Sequence, residues 1–308
     1  MRACVVVLLG LWPALGVAPT TRAVKPDPPI QCEACEAWNR AQEPFRVFGN
    51  TYYVGVAGLS SVLIASDGGL ILLDGGLPQS APLIDASIRK LGFRTQDVRL
   101  IVNSHAHYDH AGGIAALQRA SGATVAASAA GAGAIRRGRL PAGDPQYAGP
   151  QAGGFPLVER VREVADGETL RVGELALTAH LTPGHTPGGT TWTWRSCEGQ
   201  RCLDVVYADS LNAISSPGFR FVGDATHPGV EAAFRRSIAV VAALPCDILL
   251  TGHLGLNGLE SKLRRWREQP SVNPFVDPQA CRTYAADAAR RLDERVASER
   301  SASAATRP

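Results

Sequence analysis

Three of the seven histidines in this 308-residue chain are clustered in the pattern His-x-His-x-Asp-His at positions 105–110. Imidazole nitrogens and a carboxylate are ligands that suit zinc, and such tight spacing can supply ligands to two ions at once. The apolar run at 98–103 predicts a buried strand before the cluster, and the run at 111–118 predicts the start of a helix after it. The cluster is therefore expected on a strand-to-helix turn, where α/β folds keep their active sites.

Two further histidines occur in similar surroundings. His185 lies in Thr-Pro-Gly-His-Thr-Pro-Gly at 182–188, between two predicted strands. The flanking Pro and Gly residues fix a tight turn that projects the imidazole. His253 follows the apolar run 246–251, again at the end of a predicted strand. These two histidines are expected to complete a metal-ligand set with the 105–110 cluster.

Three other side chains are candidates for supporting roles. His180 lies inside the predicted strand 175–181, which favours a structural or supporting role. His227 precedes Pro228 and a predicted helix, so a capping or surface role is favoured. Asp74 ends a predicted strand in Leu-Leu-Asp-Gly-Gly. It either supports a metal ligand or serves turn chemistry alone, and the two interpretations are equally favoured.

The chain resembles the metallo-β-lactamase superfamily. Within it, the chain is most similar to the third subclass of class B β-lactamases, secreted two-zinc enzymes with only His and Asp ligands. Four stretches carry the resemblance: 103–110, 181–191, 206–212 and 244–253. The first motif identifies the superfamily, and the subclass depends on the combination, including the absence of a cysteine ligand in Val-Tyr-Ala-Asp-Ser at 206–210. One departure is Thr-Gly-His-Leu-Gly around His253, where the family has a Pro-His-Pro-like context.

The resemblance implies a hydrolase with two zinc ions per chain that opens the β-lactam amide with a zinc-bound hydroxide. The expected ligands of the first zinc are His105, His107 and His185, and those of the second are Asp109, His110 and His253. Zinc lowers the pKa of bound water to about 7, so hydroxide is available at neutral pH. The second ion would polarise the substrate and stabilise the expelled amide nitrogen. Asp109 would also orient the hydroxide, so Asp109 and the first-zinc ligands are the predicted catalytic residues.

Gln146, Ser210 and Asn212 are predicted to line the substrate groove, because the resembling family uses comparable loop positions. For Gln146 and Asn212, plain surface exposure is an equally favoured interpretation. Asp209 and Ser210 also separate the two leading functions. By resemblance, thioesterases and lactonases of the superfamily place an Asp at the end of this strand, where it bridges both metals, whereas third-subclass β-lactamases have a serine there. Neighbours on a strand point to opposite faces. Ser210 is therefore predicted to face the site, with Asp209 in a structural or supporting role.

Other functions are less favoured. A glyoxalase-II-like thioesterase or a lactonase of the same superfamily is the alternative hydrolase. A non-enzymatic zinc-binding protein is disfavoured because six well-placed ligands exceed what a structural zinc needs. Ser87-Ile-Arg-Lys90 matches the Ser-x-x-Lys of serine β-lactamases, but it lies inside a predicted amphipathic helix at 81–91, and no Ser-Asp-Asn or Lys-Thr-Gly follows. That match is interpreted as chance.

The N-terminus predicts a secretory signal peptide at 1–23 and a mature chain at 24–308. Its apolar run at 4–17 is too short, and too interrupted by Pro13, for a membrane span, which needs about 20 apolar residues. The mature chain is expected in the periplasm or secreted, as a monomer with no membrane span. Removing Arg2 and Arg22 lowers the formal charge from +3 to +1. A nearly neutral chain gives no support to nucleic-acid binding, which requires a strongly basic face.

Six cysteines remain in the mature chain. Cys197 and Cys202 flank a short Glu-Gly-Gln-Arg hairpin, so local geometry favours a bond between them. The resemblance implies a second bond, Cys246–Cys281, between the last strand and the C-terminal helix. Cys32 and Cys35 then remain by elimination. A Cys-x-x-Cys pair can be redox-active or part of a zinc site, but this one stands alone, so a structural bridge is favoured.

A chain that is 45% hydrophobic and 19% charged is long enough for one large core, and we expect a single domain. Strands are predicted at 51–57, 61–66, 70–74, 98–103, 123–127, 160–164, 169–172, 175–181, 190–194 and 204–208. Helices are predicted at 81–91, 129–137, 230–243, 259–267 and 279–296. Two blocks of strands, each followed by helices, predict an α/β fold with a four-layer αβ/βα sandwich, which the resemblance also implies. The small, polar tail at 301–308 is expected to fray.

Overall fold

The computed structural model describes residues 23–149, 153–225, 227–255 and 258–305, so the predicted signal segment lies almost entirely outside the described residues. The strands are β1 (Phe45–Phe48), β2 (Thr51–Tyr53), β3 (Val62–Ser66), β4 (Gly69–Leu73), β5 (Val98–Val102), β6 (Thr124–Ser128), β7 (Val161–Val164), β8 (Thr169–Val172), β9 (Leu175–Leu181), β10 (Thr190–Glu198), β11 (Arg201–Ala208) and β12 (Ile248–Thr251). The helices are α1 (Cys35–Trp38), α2 (Ala81–Lys90), α3 (Tyr108–Ala111), α4 (Ile114–Ser121), α5 (Ala129–Arg137), α6 (Glu231–Ala243), α7 (Leu259–Glu268) and α8 (Ala280–Ala305).

The strands form two sheets whose order follows the sequence. The first sheet has the order β1-β2-β3-β4-β5-β6-β7 and the second β12-β11-β10-β9-β8. Strands β4 to β7 are parallel neighbours, and so are β11 and β12. Because parallel strands end at the same edge of a sheet, the turns after β4, β5 and β6 lie at one edge of the first sheet, and those after β11 and β12 lie at one edge of the second.

Three apolar clusters separate four layers. One cluster joins α2, α4 and α5 to the outer face of the first sheet, the second fills the space between the sheets, and the third joins α6 and α8 to the outer face of the second sheet. Alternation along the strands produces this arrangement. In β4, Leu72 packs toward the helices while Leu73 packs between the sheets. In β11, Tyr207 lies between the sheets and Val206 under the helices. The predicted four-layer αβ/βα sandwich is confirmed.

Local differences from the predicted elements have physical reasons. Strand β1, a short strand at the edge of the first sheet, was not predicted from the sequence, and its Phe45 stacks on Tyr53 with ring centroids 5.2 Å apart. The expectation that 301–308 frays is wrong for 301–305, because α8 continues to Ala305. Alanine favours helix there, and ion pairs of Arg300 with Glu231 and of Arg295 with Glu299 support the last turns.

Three disulfides cross-link the described chain: Cys32–Cys35, Cys197–Cys202 and Cys246–Cys281. They are the same three pairs that were expected from the sequence and its resemblance. The first closes the turn at α1, the second closes the β10–β11 hairpin, and the third joins the residues before β12 to α8. No helix among the described residues has the length and apolar character that a membrane span requires.

Replacing Cys246 and Cys281 together with alanine is expected to lower the free energy of unfolding by about 2–4 kcal/mol, because that bond closes a long chain loop. Its partners are 35 residues apart, whereas Cys197 and Cys202 are 5 residues apart. The Cys197/Cys202 double variant is the matched control, and its loss should be smaller. Denaturant unfolding of both oxidised variants measures the difference. An equal loss in the two variants would contradict the loop-closure argument.

Candidate metal centre

The histidine cluster lies where β5 ends and α3 begins. His105 and His107 precede the helix, and Asp109 and His110 lie within it. All four residues are at most 4% exposed. Asp109 occupies the first turn of α3, where the helix dipole favours a negative charge. The predicted strand-to-helix turn therefore exists, and it is buried rather than solvated.

Glycines allow the two distant histidines to approach this turn. His185 lies between β9 and β10. The preceding Gly184 has φ +155°, and a Cβ on this residue would lie only 2.4 Å from the Phe234 ring. His253 follows β12, and a Cβ on Gly252 would lie 2.5 Å from the His110 ring. The unusual Gly before His253 therefore lets the His110 imidazole pack directly against the backbone.

The six predicted ligands converge as two neighbouring triads. His105, His107 and His185 form the first site, and Asp109, His110 and His253 form the second site; in each, one ligand atom per residue lies within 4.8 Å of the others. In the second site, the Nε2 atoms of His110 and His253 are 3.2 Å apart. The ring centroids of His105 and His110 are 4.1 Å apart, so the two sites adjoin. This arrangement suits a dinuclear metal centre.

An unpartnered nitrogen in the first site supports this interpretation. The Nδ1 of His105 donates to Asp209 Oδ1 at 2.8 Å, while its buried Nε2 has no hydrogen-bond partner among the described residues. A buried nitrogen without a partner is costly unless a ligand satisfies it. The other two imidazoles of the site each make a hydrogen bond as well. His107 Nε2 donates to Asp144 Oδ1 at 3.3 Å, and His185 Nδ1 donates to the Asn212 carbonyl at 2.9 Å.

The histidines of the second site are supported in the same way. His110 Nδ1 donates to Asp74 Oδ2 and His253 Nδ1 to the Gly58 carbonyl, each at 3.3 Å. Each of the five histidines thus directs one nitrogen at an oxygen acceptor, which fixes the tautomer and leaves the other nitrogen for a metal. The donor set therefore fits two metal ions.

The protonation states in the first site suit metal binding. Burial, together with positive charge on His110 and His107, holds the pKa of His105 well below its ordinary value. Burial and the charge on His107 lower the pKa of His185 to about 3. These two imidazoles are therefore neutral at pH 7, which is the form that coordinates a metal.

The second site is different because it contains a carboxylate. Burial opposes ionisation of Asp109, but His110 and His253 outweigh it, and the pKa of Asp109 falls below its usual range. Burial also opposes the charged form of His110, yet Asp109 and Asp74 raise the pKa of His110 overall. A metal that binds here meets an ionised Asp109 and displaces a proton from His110.

Asp74 both forms a turn and supports a ligand. It is fully buried and has φ +58°, the only positive φ outside glycine among the described residues. Its Oδ1 accepts from Asn103 Nδ2 at 2.9 Å and from the Ser104 amide at 2.7 Å. Its Oδ2 accepts from the Tyr207 hydroxyl at 2.8 Å and from His110. The two interpretations left open by the sequence therefore apply together.

The remaining predicted residues have distinct positions. Asp209 is fully buried behind His105 and, among the described residues, belongs to neither triad. Burial raises the pKa of Asp209 well above its ordinary value. Ser210, next along the chain, is 6% exposed. Asn212 contributes its carbonyl to His185, and Gln146 is partly buried in the loop that contains Asp144.

Two residues that contact the site were not predicted from the sequence. Asp144 contacts His107, and the Trp38 ring lies 5.3 Å from the His253 ring. Neither pair has a local sequence signal, because the partners are far apart in the chain. Outside the triads, His180 contacts Thr193 Oγ1 at 2.9 Å in the second sheet and His227 is half-exposed beside Asp224, as their structural and surface interpretations anticipate.

Comparisons with known proteins agree with this geometry. The family model of the metallo-beta-lactamase superfamily matches residues 54–257. The solved structure of Rm3 metallo-beta-lactamase is 51% identical, with 88% of this chain and 99% of that chain covered and a TM-score of 0.84. MEM-A1, a subclass B3 metallo-beta-lactamase from a soil metagenome library, is 52% identical, with 86% and 99% covered and a TM-score of 0.81.

A curated relative with another activity also matches. The hydroxyacylglutathione hydrolase of Anaeromyxobacter dehalogenans strain 2CP-C is 35% identical over 132 residues, which are 43% of this chain and 40% of that relative. The chain therefore spans less than half of that relative's length. The family model, by contrast, covers most of the present chain, including all six residues of the two triads. The chain belongs to the metallo-β-lactamase superfamily.

Proposed function

We propose that the chain is a zinc-dependent β-lactamase that hydrolyses the cyclic amide of β-lactams. The observation that carries the proposal is the pair of adjoining triads made only of His and Asp, with Asp209 hydrogen-bonded to His105 instead of lying in a triad. The high identity to Rm3 and MEM-A1 supports the same activity.

The first site would hold one zinc by three imidazoles, the usual form of a catalytic zinc site, and the second site would hold another. When bound, zinc supplies an activated water at neutral pH and polarises the substrate carbonyl. Asp109 lies in the second site, where its carboxylate would accept a hydrogen bond from the attacking water and orient it. Asp209 and Asp144 hold the rings of His105 and His107 in place from behind.

Hydrolysis of a chromogenic cephalosporin, with and without a chelator, tests the activity. Steady-state rates on a panel of penicillins, cephalosporins and carbapenems should exceed those on a glutathione thioester and a homoserine lactone by orders of magnitude in kcat/KM. A preference for the thioester or the lactone would overturn the proposal.

A thioesterase or lactonase of the same superfamily is the second candidate function. The similarity to a hydroxyacylglutathione hydrolase favours it. That activity requires Asp209 as a ligand that bridges both metals, and in this chain the Asp209 Oδ1 accepts from the outward-facing nitrogen of His105. We therefore rank this function second. A zinc-loaded structure with an Asp209 oxygen within about 2.2 Å of both ions would reverse the ranking.

Replacing His253 with alanine is expected to reduce the zinc content from two ions per chain to about one. His253 is a member of the second site only, and the first site retains its three imidazoles. Elemental analysis after dialysis measures the stoichiometry. Two ions bound to the variant would contradict the assignment of His253 as a ligand.

Gln146, Ser210 and Asn212 are proposed to line the substrate groove. Two contacts support this proposal: Asp209, which directly precedes Ser210, contacts His105, and the Asn212 carbonyl contacts His185. Replacing Gln146 with alanine should raise KM more than it lowers kcat, because Gln146 would bind substrate and transition state equally. Steady-state kinetics measure both constants, and a large loss of kcat at unchanged KM would contradict this role.

We also propose that the mature chain begins near residue 24, forms a single domain and acts as a monomer in the periplasm or outside the cell. The three disulfides support an oxidising compartment. Cell fractionation, N-terminal sequencing and a sedimentation measurement of the purified chain test these points.

A further inference from the structure

The two metal sites are supported by different parts of the molecule. In the second site, His110 is held by Asp74 at the end of β4, and His253 by the carbonyl of Gly58 between β2 and β3. Both supports belong to the scaffold of the first sheet. In the first site, the supports come from two irregular segments. His107 is held by the 141–149 loop, and the other two histidines are held by residues of the 209–216 segment.

Asp144 connects the 141–149 loop to the first site. It is 2% exposed, which is unusual for a loop carboxylate. Its Oδ1 accepts from His107 Nε2 at 3.3 Å and from the Gln146 amide at 2.8 Å. Its own amide donates to the Pro141 carbonyl at 2.9 Å, and its carbonyl accepts from the Tyr147 amide at 3.0 Å. One side chain thus fixes both the ring of a predicted ligand and the backbone of the loop.

The two irregular segments are also joined to each other. The Ser216 amide donates to the Pro145 carbonyl at 2.8 Å, and Gly149 packs so close to Ser216 that a Cβ there would lie 2.5 Å from the hydroxyl. The segments that carry the proposed substrate residues Gln146 and Asn212 therefore form one connected wall. This wall contacts the first site through the carboxylates of Asp144 and Asp209 and the carbonyl of Asn212, each of which accepts a hydrogen bond from a histidine of that site.

We propose that Asp144 is a positioning residue that couples metal binding at the first site to the order of the 141–149 loop. The inference rests on the dinuclear centre of the proposed function. Metal at the first site fixes His107, His107 fixes Asp144, and Asp144 fixes the amide of Gln146. Because coupling between two binding events is reciprocal, a substitution that frees the loop weakens the first site, and a metal in the first site orders the loop. The second site is independent of Asp144.

Two substitutions at one position separate the hydrogen bonds from the charge. Asp144→Ala removes the oxygen that accepts from both His107 and Gln146. Asp144→Asn keeps an acceptor oxygen on a side chain of the same length. Asp277→Ala is the matched control, since Asp277 Oδ1 also accepts from the amide two residues ahead, that of Gln279 at 2.9 Å, and contacts no ligand histidine.

Zinc titration measures each site separately. In a His253→Ala background, where the first site remains, Asp144→Ala should weaken Zn²⁺ binding by about 10- to 100-fold, and Asp144→Asn by much less. In a His185→Ala background, where the second site remains, Asp144→Ala should leave the affinity unchanged. Asp277→Ala should leave both affinities unchanged.

Hydrogen exchange supplies a readout independent of activity. In the otherwise wild-type chain, Zn²⁺ should increase protection of peptides covering 142–149, and this increase should be lost in Asp144→Ala and retained in Asp144→Asn. Circular dichroism of each apo-protein verifies that the variants are folded. Equal first-site affinity in the parent and in Asp144→Ala, or an equal loss at both sites, would overturn the inference alone. If the wild-type chain binds no zinc, the proposed function and the inference fail together.

Discussion

Replacement of His185 by alanine is expected to lower kcat/KM for β-lactam hydrolysis at least about a thousand-fold, which corresponds to about 4 kcal/mol of transition-state stabilisation. The first site loses one of its three imidazoles, and the two that remain cannot retain a catalytic metal with the same affinity or geometry. Rates with a chromogenic cephalosporin, together with zinc analysis of the same sample, measure the effect.

His180→Ala is the matched control for this prediction. His180 lies in β9, near His185 in sequence, but it contacts Thr193 and belongs to neither triad. Its replacement should leave kcat/KM within a few-fold of the wild-type value. Comparable losses in the two variants would show that the effect of His185→Ala arises from the strand and not from the metal site.

Replacement of Asp74 by asparagine is expected to lower the free energy of unfolding by about 3 kcal/mol or more. The amide keeps the shape and tolerates the positive φ of this position. However, its NH₂ group would replace the Oδ2 that accepts from Tyr207, Ser104 and His110. The buried donor groups of these three residues would then face the NH₂ donor of the asparagine. Denaturant unfolding of the apo-protein measures the loss without any contribution from metal.

The control for this loss is Asp97→Asn. Asp97 pairs with Arg94 at the surface, where water screens the interaction, so its replacement should change stability little. Asp74→Asn should also weaken zinc binding at the second site, because His110 loses its acceptor. An Asp74 variant as stable as the Asp97 variant would show that the buried network around Asp74 is not needed for stability.

The six residues of the two triads could be predicted from sequence because their signals are local. The cluster at 105–110 carries its own spacing, and His185 and His253 each follow a strand and precede a turn. The supports of those ligands could not be predicted in the same way. Asp144 and His107 are 37 residues apart in the chain, and Gly58 offers a backbone carbonyl to His253, which no residue type signals.

Some elements of the fold could likewise be predicted from the sequence, and others could not. A strand with a continuous apolar run, such as β4, or with alternating burial, such as β9, was predicted close to its observed bounds because the pattern reflects which faces are packed against other layers. Strand β1 was not predicted because its four residues form an edge, where the aromatic contact between Phe45 and Tyr53 replaces a longer pattern. The end of α8 was not predicted because ion pairs with distant parts of the chain, such as Arg300 with Glu231, extend it.

The two triads draw on both halves of the molecule. Each takes two ligands from the turn after β5 in the first sheet and one from the second sheet, His185 or His253. An ion bound in either triad is therefore a cross-link between halves that are otherwise joined mainly by apolar packing. A ligand present at a thousand times its dissociation constant adds about 4 kcal/mol to the stability of the folded state. When metal is scarce, the protein would therefore be degraded faster by proteases and would also lose the proposed catalytic activity.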